Sequence, residues 1–330
     1  MSSHRSRRRP FLLGALSTAA ALAPQLSHGQ DRYPSRPVKL IVPFPPGGNA
    51  DATGRIVAEA LTAQLGQNVV VFNQGGAGGM IGAAAAAQAA PDGYTLLCAT
   101  TGPILVAWQL AGQAATYRLS ELQPLAMLTM VPYVLVVNET SPVRSWQDFL
   151  DLAKRRPKDI KCGHPGNGTT GHVDLLQLQD ALKTEFIIAA YRGAGPAVQD
   201  LLGGQLDLVA TDLPSALQLV KAGKLRAIAA VANGRLSSLP DVPTMAELNL
   251  SQVDAITFTA LLGPRNLPAD VAARLSEAAG RLLDTDAVRQ RLGDIGTTPW
   301  KMSPAELGKF LDQQAAIYTG LIKSGLLQSQ

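Results

Sequence analysis

Cysteine, histidine and aromatic side chains are scarce in this chain of 330 residues, which has two Cys, four His and 5% aromatic residues. Beyond the N-terminal segment, no apolar run reaches the roughly 20 residues that a membrane-spanning helix needs. The two cysteines, Cys98 and Cys162, each lie in an apolar stretch that is typical of a strand. We expect two buried free thiols in separate lobes, and a disulfide between them stays open as the alternative.

Motifs of catalysis and cofactor binding are also scarce. The chain has no Gly-x-Ser-x-Gly, His-Glu-x-x-His or Gly-Lys-Ser/Thr motif. The segment Gly166–Gly171 matches the dinucleotide fingerprint letter by letter, but Tyr191 stands near the position where that fingerprint expects an acidic residue. We therefore predict no catalytic residue, no metal site and no cofactor.

The N-terminus has the features of an export signal. Four arginines lie between residues 5 and 9, and the apolar run that follows, residues 11–23, is too short to span a membrane. Ser27 and Gly29 are small enough for a cleavage site, so we predict a signal peptide at residues 1–29 and a mature start near Gln30. Export by the Sec route and by the twin-arginine route both fit, and either predicts a periplasmic protein.

Charge gives no indication of a nucleic-acid partner once the signal peptide is removed. The whole chain has 29 Lys+Arg and 25 Asp+Glu, and residues 1–29 contain four Arg and no acidic residue, which leaves 25 of each sign. Proteins that bind nucleic acids usually have an excess of basic residues on one face. We therefore expect no nucleic-acid partner.

Short apolar strands alternate with helical patterns along the rest of the chain. Strands are predicted at 38–44, 68–72 and 94–99, with helices between them, and the same alternation resumes at 160–182. This pattern predicts an α/β fold in which each sheet is mostly parallel. About 300 mature residues exceed what one hydrophobic core usually serves, so we predict two lobes. The strand-like runs 131–137 and 225–231 are predicted to carry the chain between them.

Three predicted strands end in glycine-rich loops that lead directly into helices: 45–49, 75–79 and 163–168. The first amides of a helix have no partner inside the helix, and glycine lets the backbone approach a ligand closely. Such helix starts bind anions. Together with the hydroxyls of Thr100, Thr101 and Thr169, they predict a site that binds carboxylates without lysine or arginine.

The residues of these loops, and several further segments, resemble the Bug solute receptors of tripartite tricarboxylate transporters. The resemblance covers nearly the whole mature chain, in order. The segments are Tyr33-Pro34, Pro37–Gly48 with Asp51 and Arg55, Asn73 with Gly76–Gly79 and Gly82, Pro91–Leu96, Gly166–Thr169 with His172, Tyr191–Gly193, and Arg235 with Leu239–Thr244 and Glu247.

The resemblance implies a two-lobed periplasmic binding protein of the type II-like class, with two crossover strands and no catalysis. Residues 30–129 and 228–330 would form lobe 1, residues 130–227 would form lobe 2, and the ligand cleft would lie between them. Its implied ligand is a small organic acid, an amino acid or an aromatic carboxylate. The implied partners are the membrane subunits of a tripartite tricarboxylate transporter, and the receptor itself would be a monomer.

The resemblance also implies which residues bind the ligand. Lobe 1 would contribute the 43–51 loop, the Ala77–Gly79 loop and two threonines, and lobe 2 would contribute the loop up to Thr169 and an acidic residue that faces the cleft. The predicted binding residues are Phe44, Gly47, Gly48, Asn49, Asp51, Ala77, Gly78, Gly79, Thr100, Thr101, His164, Gly166, Asn167, Gly168, Thr169 and Asp212.

His164 departs from the family pattern, which usually has serine before this glycine turn. If His164 lines the cleft, its protonation would tighten the binding of an anion as the pH falls from about 7.5 toward 5.5. Alternatively, Pro165 turns the ring outward to the rim. A secreted hydrolase or isomerase on a similar scaffold, with His164 or Asp212 as the base, stays open as a second function, as does a receptor that signals through a partner.

Overall fold

The computed structural model describes residues 33–328, so the predicted signal peptide at residues 1–29 lies outside the described residues. The strands, in chain order, are β1 (Val38–Val42), β2 (Val69–Asn73), β3 (Thr95–Thr100), β4 (Leu122–Met130), β5 (Tyr133–Asn138), β6 (Ile160–His164), β7 (Phe186–Ala190), β8 (Leu208–Asp212), β9 (Leu225–Val231), β10 (Phe258–Pro264) and β11 (Thr298–Pro299).

The α-helices alternate with the strands for most of the chain and then dominate its end. They are α1 (Asn49–Leu65), α2 (Met80–Ala87), α3 (Trp108–Ala111), α4 (Trp146–Arg155), α5 (Thr170–Leu182), α6 (Ala194–Leu202), α7 (Leu213–Lys221), α8 (Ala269–Leu283), α9 (Asp286–Asp294) and α10 (Pro304–Lys323). A π-helical segment, Gly102–Ala107, leads directly into α3.

Local sequence accounts for the ends of these elements. β1 is rich in β-branched residues and is almost fully buried, as expected of a strand with a neighbour on each side. α1 ends at Gly66, which takes the left-handed conformation and donates its amide to the Thr62 carbonyl. α10 begins with a capping box, in which Ser303 and Glu306 satisfy each other's backbone amides.

Within residues 33–328 the strands form two sheets, one of six strands and one of five. The first sheet has the order β11-β4-β10-β3-β1-β2, and the second has the order β7-β6-β8-β5-β9. We call each sheet with its flanking helices a lobe, lobe 1 for the first sheet and lobe 2 for the second. Both sheets are mixed rather than mostly parallel, because β10 joins the first sheet antiparallel to β3 and β4, and β5 joins the second antiparallel to β8 and β9.

The chain passes between the two sheets at two places. β4, in the first sheet, and β5, in the second sheet, are separated only by Val131 and Pro132. The run 131–137, which was predicted as one strand, therefore consists of this two-residue link and most of β5. The return lies later than the sequence predicted, because all of β9 pairs with β5 in the second sheet. The chain reaches the first sheet again only at Phe258, after a long connection from residue 232 to residue 257.

One hydrophobic core joins residues from before the first crossing and after the second. Ile41, Leu97 and Met127 pack in the same buried cluster as Phe258 and Leu311. Lobe 2 has buried clusters on both faces of its own sheet. Helix α5 contributes to both lobes, because Val173 belongs to the lobe 1 core whereas Leu175 and Leu178 belong to a lobe 2 core.

The two thiols are separated by this division into sheets. Cys98 lies in β3 of the first sheet and Cys162 in β6 of the second, and both are buried and free, which confirms the expectation. Within the described part of the chain, no helix combines the length and the apolar character that crossing a bilayer requires.

Candidate functional site

A cavity of about 50 Å³, the first cavity, lies between the lobes and is lined by residues of both. Four helices begin at its wall: α1 after Gly48, α5 after Thr169, α6 after Gly193 and α7 after Asp212. The first amides of a helix have no partner inside the helix and carry the positive end of the helix dipole. At α7 these amides are already used, because Leu213 donates to the Pro132 carbonyl and Ser215 donates to Asp212. Because α1 belongs to lobe 1 and α5 and α6 to lobe 2, an anion in the first cavity can still be bound from both sides.

The structure brings six of the predicted residues to the first cavity. These are Phe44, Gly48, Asn49, Thr100, Thr169 and Asp212. Five others lie at a neighbouring cavity, namely Ala77, Gly78, Gly79, Gly166 and Asn167. The remaining five, Gly47, Asp51, Thr101, His164 and Gly168, do not line either cavity.

Hydroxyl groups at the first cavity differ in their availability for a ligand. The Thr169 hydroxyl donates to the Gly166 carbonyl at 2.6 Å, so it braces its own loop. The Thr257 hydroxyl is buried and has no hydrogen-bond partner within residues 33–328. Thr100 also lines the cavity and is 7% exposed. Of these three threonines, Thr100 is therefore the best placed to donate to a carboxylate.

Asp212 is the acidic residue of the first cavity, at the end of β8 and the start of α7. Its Oδ1 accepts the Ser215 amide at 3.1 Å and the Ser215 hydroxyl at 2.7 Å, which is an N-cap arrangement. Burial raises the pKa of Asp212, and hydrogen bonds from Ser215, from its own amide and from the Asn49 amide offset that rise only in part. Asn49 belongs to lobe 1, so the carboxyl also links the two lobes.

A second cavity of about 360 Å³ adjoins the first. Phe44, Pro45 and Pro165 line both cavities, so the wall between them is built from both lobes. The loops 75–79 and 163–168 face each other across the second cavity. Arg192 is its one charged lining residue within residues 33–328, and it makes no ion pair with the described part of the chain.

The lobes are in direct contact beside the second cavity. Gly78 has a φ of +63°, and a Cβ at this position would lie 2.2 Å from the carbonyl oxygen of Asn167 in lobe 2. A Cβ on Gly168 would lie 2.7 Å from the Cα of Ala107 in lobe 1. These distances leave no room for a methyl group, so the two glycines set how closely the lobes approach. Gly78 and Gly168 were predicted to bind the ligand. In the structure they form close contacts between the two lobes.

Asp51 supports the 43–51 loop from behind instead of facing the cavity. It accepts the Gly47 amide at 3.1 Å and the Asn73 side-chain amide at 2.9 Å, and it pairs with Arg55 at 3.0 Å. Burial raises the pKa of Asp51, but these partners outweigh burial and the net pKa is lower than usual. Thr101 is likewise internal, since its hydroxyl donates to the Ile256 carbonyl and accepts the Phe258 amide.

His164 turns inward beneath the glycine loop, neither into the cleft nor outward to the rim. Its side chain is completely buried, and its Nδ1 lies 3.2 Å from the Gly166 amide and 3.0 Å from the Gly166 carbonyl oxygen. Burial, together with the neighbouring His172, lowers the pKa of His164 to about 3. The expected tightening of anion binding between pH 7.5 and 5.5 required a cleft-facing ring, and the structure removes that premise.

Several residues at the first cavity were not predicted from the sequence. Gly193 and the three residues after it form the start of α6, and they show the same glycine-before-helix pattern that predicted the other loops. Tyr133 and Thr257 also line the cavity. They lie next to the two crossings, and no local pattern identified them because their place depends on how the lobes meet.

The chain resembles known receptors along almost its whole length. Residues 53–326 match the family described as tripartite tricarboxylate transporter family receptor. The protein BugT of Bordetella pertussis is 34% identical over 94% of this chain and 95% of its own length. The fold is that of solved periplasmic binding proteins, as the sequence predicted.

Two structures of Rhodopseudomonas palustris proteins contain ligands. MatC with bound malate is 30% identical, with a TM-score of 0.82 over 88% of this chain and 100% of its own. A second R. palustris protein, solved with adipate, is 28% identical, with a TM-score of 0.84 over 88% of this chain and 97% of its own.

Proposed function

Since the chain belongs to the tripartite tricarboxylate transporter receptor family, we propose that it is a solute-binding receptor for a small carboxylate. The observation that carries the proposal is the convergence of the starts of α1, α5 and α6, from two lobes, on the first cavity. Helix starts bind carboxylates through backbone amides, without a charged side chain. The malate and the adipate in the two R. palustris relatives are both small dicarboxylates.

Binding is coupled to movement of the lobes in this proposal. The first cavity, at about 50 Å³, is far smaller than the 300–1,000 Å³ typical of ligand sites, so the lobes separate to admit a ligand. A ligand held by α1 on one side and by α5 and α6 on the other is fully bound only when the lobes are together. It therefore favours the closed state by differential contact.

The proposal places the protein in the periplasm, with residues 1–29 removed and the new N-terminus near Gln30. The closed receptor then delivers its ligand to the membrane subunits of a tripartite tricarboxylate transporter, and it works as a monomer. The family match and the helix starts support the receptor role, and the N-terminal sequence pattern supports export.

The geometry gives no support to the hydrolase or isomerase alternative. The Nδ1 of His164 forms hydrogen bonds with the Gly166 backbone, and the ring stacks on His172. The ring is therefore not placed to take a proton from a hydroxyl. Asp212 contacts the Ser215 hydroxyl at 2.7 Å, but this carboxyl caps a helix and the described hydrogen bonds include no histidine beside the pair.

The test begins with protein purified from the periplasmic fraction of an expressing bacterium. Mass spectrometry should give a chain that starts near Gln30. A thermal-shift screen of organic acids, amino acids and aromatic carboxylates should then find ligands that raise the melting temperature, because a ligand at 100 times its Kd stabilises by about 2.7 kcal/mol. Retention in the cytoplasm would overturn the location, and a folded protein that binds no carboxylate would overturn the function.

A further inference from the structure

Helix α5 belongs to lobe 2 and also packs against lobe 1. Its Val173 lies in the lobe 1 core, and Leu176 packs against that core. Leu175 and Leu178 lie in a core of lobe 2. Because one face of the helix contacts lobe 1, any separation of the lobes changes the surroundings of that face.

Asp174 is a carboxyl at this contact. It is completely buried, and neither of its oxygens has a hydrogen bond of ordinary length and angle within residues 33–328. Burial raises the pKa of Asp174 well above the usual value, and the Ala255 amide offsets that rise only in part. An ionised carboxylate without a partner is very costly to bury, so this carboxyl holds a proton when the lobes are together.

The titratable groups around Asp174 come from both lobes and from the connection between them, and none of them is positively charged. They are Tyr133 of β5 in lobe 2, Tyr318 of α10 in lobe 1, and Asp254 of the connection that returns the chain to lobe 1. Burial, together with nearby carboxyls, raises the pKa of both tyrosines, so they stay neutral at physiological pH. The negative charge of Asp254 opposes ionisation of Asp174.

Helix α5 itself supplies no positive charge either. Burial lowers the pKa of His172 to about 4, so its ring is neutral near pH 7. The helix is also tied to the returning connection, because the Gln177 side chain exchanges hydrogen bonds of 3.3 and 3.4 Å with Asp254. Within the described part of the chain, the surroundings of Asp174 therefore favour the protonated carboxyl and leave the carboxylate without a stabilising partner.

Separation of the lobes would change this balance. The proposed function requires the lobes to part before a ligand enters the first cavity, and parting moves the lobe 1 core away from Val173 and Leu176. Water can then reach Asp174, and a hydrated aspartate ionises with a pKa of about 4. When the lobes close around a ligand, the carboxyl is buried again and requires a proton.

We propose that Asp174 is a proton-binding site of the closed receptor, so that the protein takes up one proton when it closes on its carboxylate ligand. This inference rests on the proposed function and adds the proton to what the receptor binds. Asp174 lines neither the first nor the second cavity, so the proton binds apart from the ligand. Because the two binding events are linked, the ligand binds more tightly as the pH falls through the range in which only the closed state keeps this proton.

Titration calorimetry measures the proton uptake directly. Periplasmic protein is titrated at pH 7.5 with malate, adipate, succinate and benzoate, each in Pipes, Hepes and Tris, which are buffers of different ionisation enthalpy. For the acids that bind, the dependence of the measured heat on the buffer should correspond to about one proton taken up per ligand. Between pH 8 and pH 7, where these acids stay ionised, lowering the pH should decrease Kd by up to about tenfold.

Asp174→Asn removes the titrating group and keeps a side chain of the same size. It should take up about one proton fewer than the parent, and its Kd should not change between pH 8 and pH 7. Asp180→Asn, which removes an exposed negative charge from the same helix, should take up protons as the parent does. Infrared difference spectra provide an independent measurement: ligand should produce the band of a protonated carboxyl in the parent and not in Asp174→Asn.

The failures of the two proposals are distinguishable. If the acids bind but the parent takes up no proton, or if Asp174→Asn takes up as many protons as the parent, the inference about Asp174 is overturned and the receptor role stands. If no carboxylate binds to protein that melts cooperatively, the proposed carboxylate receptor fails, and the inference fails with it.

Discussion

The imidazole rings of His164 and His172 stack on each other, with centroids 4.7 Å apart and an angle of 23° between their planes. Both rings are fully buried, and both hold the 166–169 loop: Nδ1 of His164 bonds to Gly166, and Nδ1 of His172 accepts the Gly168 amide. Both Nε2 atoms are buried without a partner within residues 33–328. The pair is thus a support beneath the loop that depends on neutral rings.

This stack predicts that the protein loses stability in mild acid. Burial lowers the pKa of His164 to about 3 and that of His172 to about 4. As the pH falls below about 6.5, the histidines of the unfolded chain take up protons that the folded state does not. The free energy of unfolding is therefore highest above about pH 6.5 with respect to these two rings, and it falls as the pH drops toward 4. For one ring the loss is on the order of 3 kcal/mol. Urea unfolding at pH 7.5, 6, 5 and 4.5 measures it.

Nuclear magnetic resonance of the two imidazoles provides the direct check. Neither set of ring signals should titrate between pH 5.5 and 7.5, and titration near 6.5 would contradict the burial argument. Over the same range, His164→Ser should bind a carboxylate ligand with the same pH profile as the parent. A profile that differs between the two would restore His164 to the binding site.

Asp174 predicts a pH dependence of the opposite sign. It is fully buried on α5, and neither carboxyl oxygen has a hydrogen bond of ordinary length and angle within residues 33–328. Burial raises the pKa of Asp174 well above the usual value. The folded state keeps a proton that the unfolded chain releases, so this residue costs stability as the pH rises above about 4. Asp174→Asn should therefore raise the free energy of unfolding at pH 7.

The comparison is made by urea unfolding of the parent and Asp174→Asn at pH 5 and pH 8. The gain should be larger at pH 8. Asp180→Asn, an exposed acid on the same helix, should show no gain at either pH. A gain in Asp174→Asn that is equal at both pH values would mean that the carboxyl is ionised in the folded protein.

Gly78→Ala should prevent the lobes from closing fully. The added methyl group would lie 2.2 Å from the Asn167 carbonyl oxygen, so the closed state becomes inaccessible while the separated lobes are undisturbed. We expect carboxylate affinity to fall at least about tenfold, or 1.4 kcal/mol. Small-angle scattering should show a smaller decrease of the radius of gyration with ligand than the parent shows.

Gly204→Ala is the matched control for this substitution. Gly204 has a similar φ, +71°, and a Cβ there would meet nothing within 4 Å. It therefore carries the same backbone strain without the contact between lobes, and its ligand affinity should equal that of the parent. Equal affinity in Gly78→Ala as well would show that the ligand is bound without this contact.

Thr100→Val should weaken the binding of a carboxylate without affecting the fold. Thr100 lines the first cavity, and the substitution replaces its hydroxyl with a methyl group of similar size. A hydrogen bond to a charged group contributes about 1.5–3 kcal/mol, which is the expected loss in calorimetry. Thr298→Val, an exposed position in β11, should bind as the parent does. An unchanged Kd in Thr100→Val would remove this hydroxyl from the site.

Elements governed by local pattern were predictable from the sequence. α10 begins at its capping box, and the glycine loops were visible as strand–loop–helix units. β4 and β10 were not predicted, because Pro124 interrupts the first run and the two strands pair only with each other and with distant residues. Their pairing across more than 120 residues leaves no local trace in the sequence.

The orientation of side chains at the site was the other feature that could not be predicted from the sequence. The loop containing Gly166 lies at the second cavity, but whether His164 faces the ligand or the interior is decided by its stacking on His172. Similarly, Asp51 was predicted to bind the ligand, yet Asn73 and Arg55 draw its carboxyl to the back of the loop. Such choices depend on how the side chains pack in three dimensions, which a local sequence pattern does not determine.

The two free cysteines make the protein suited to fluorescence measurements. Burial raises the pKa of Cys98 to about 12 and that of Cys162 well above its usual value, so both thiols are protonated and shielded from alkylating dyes at neutral pH. A cysteine introduced on the surface of each lobe can therefore be labelled without first removing the native pair. Energy transfer between the two dyes would then follow opening and closing one molecule at a time.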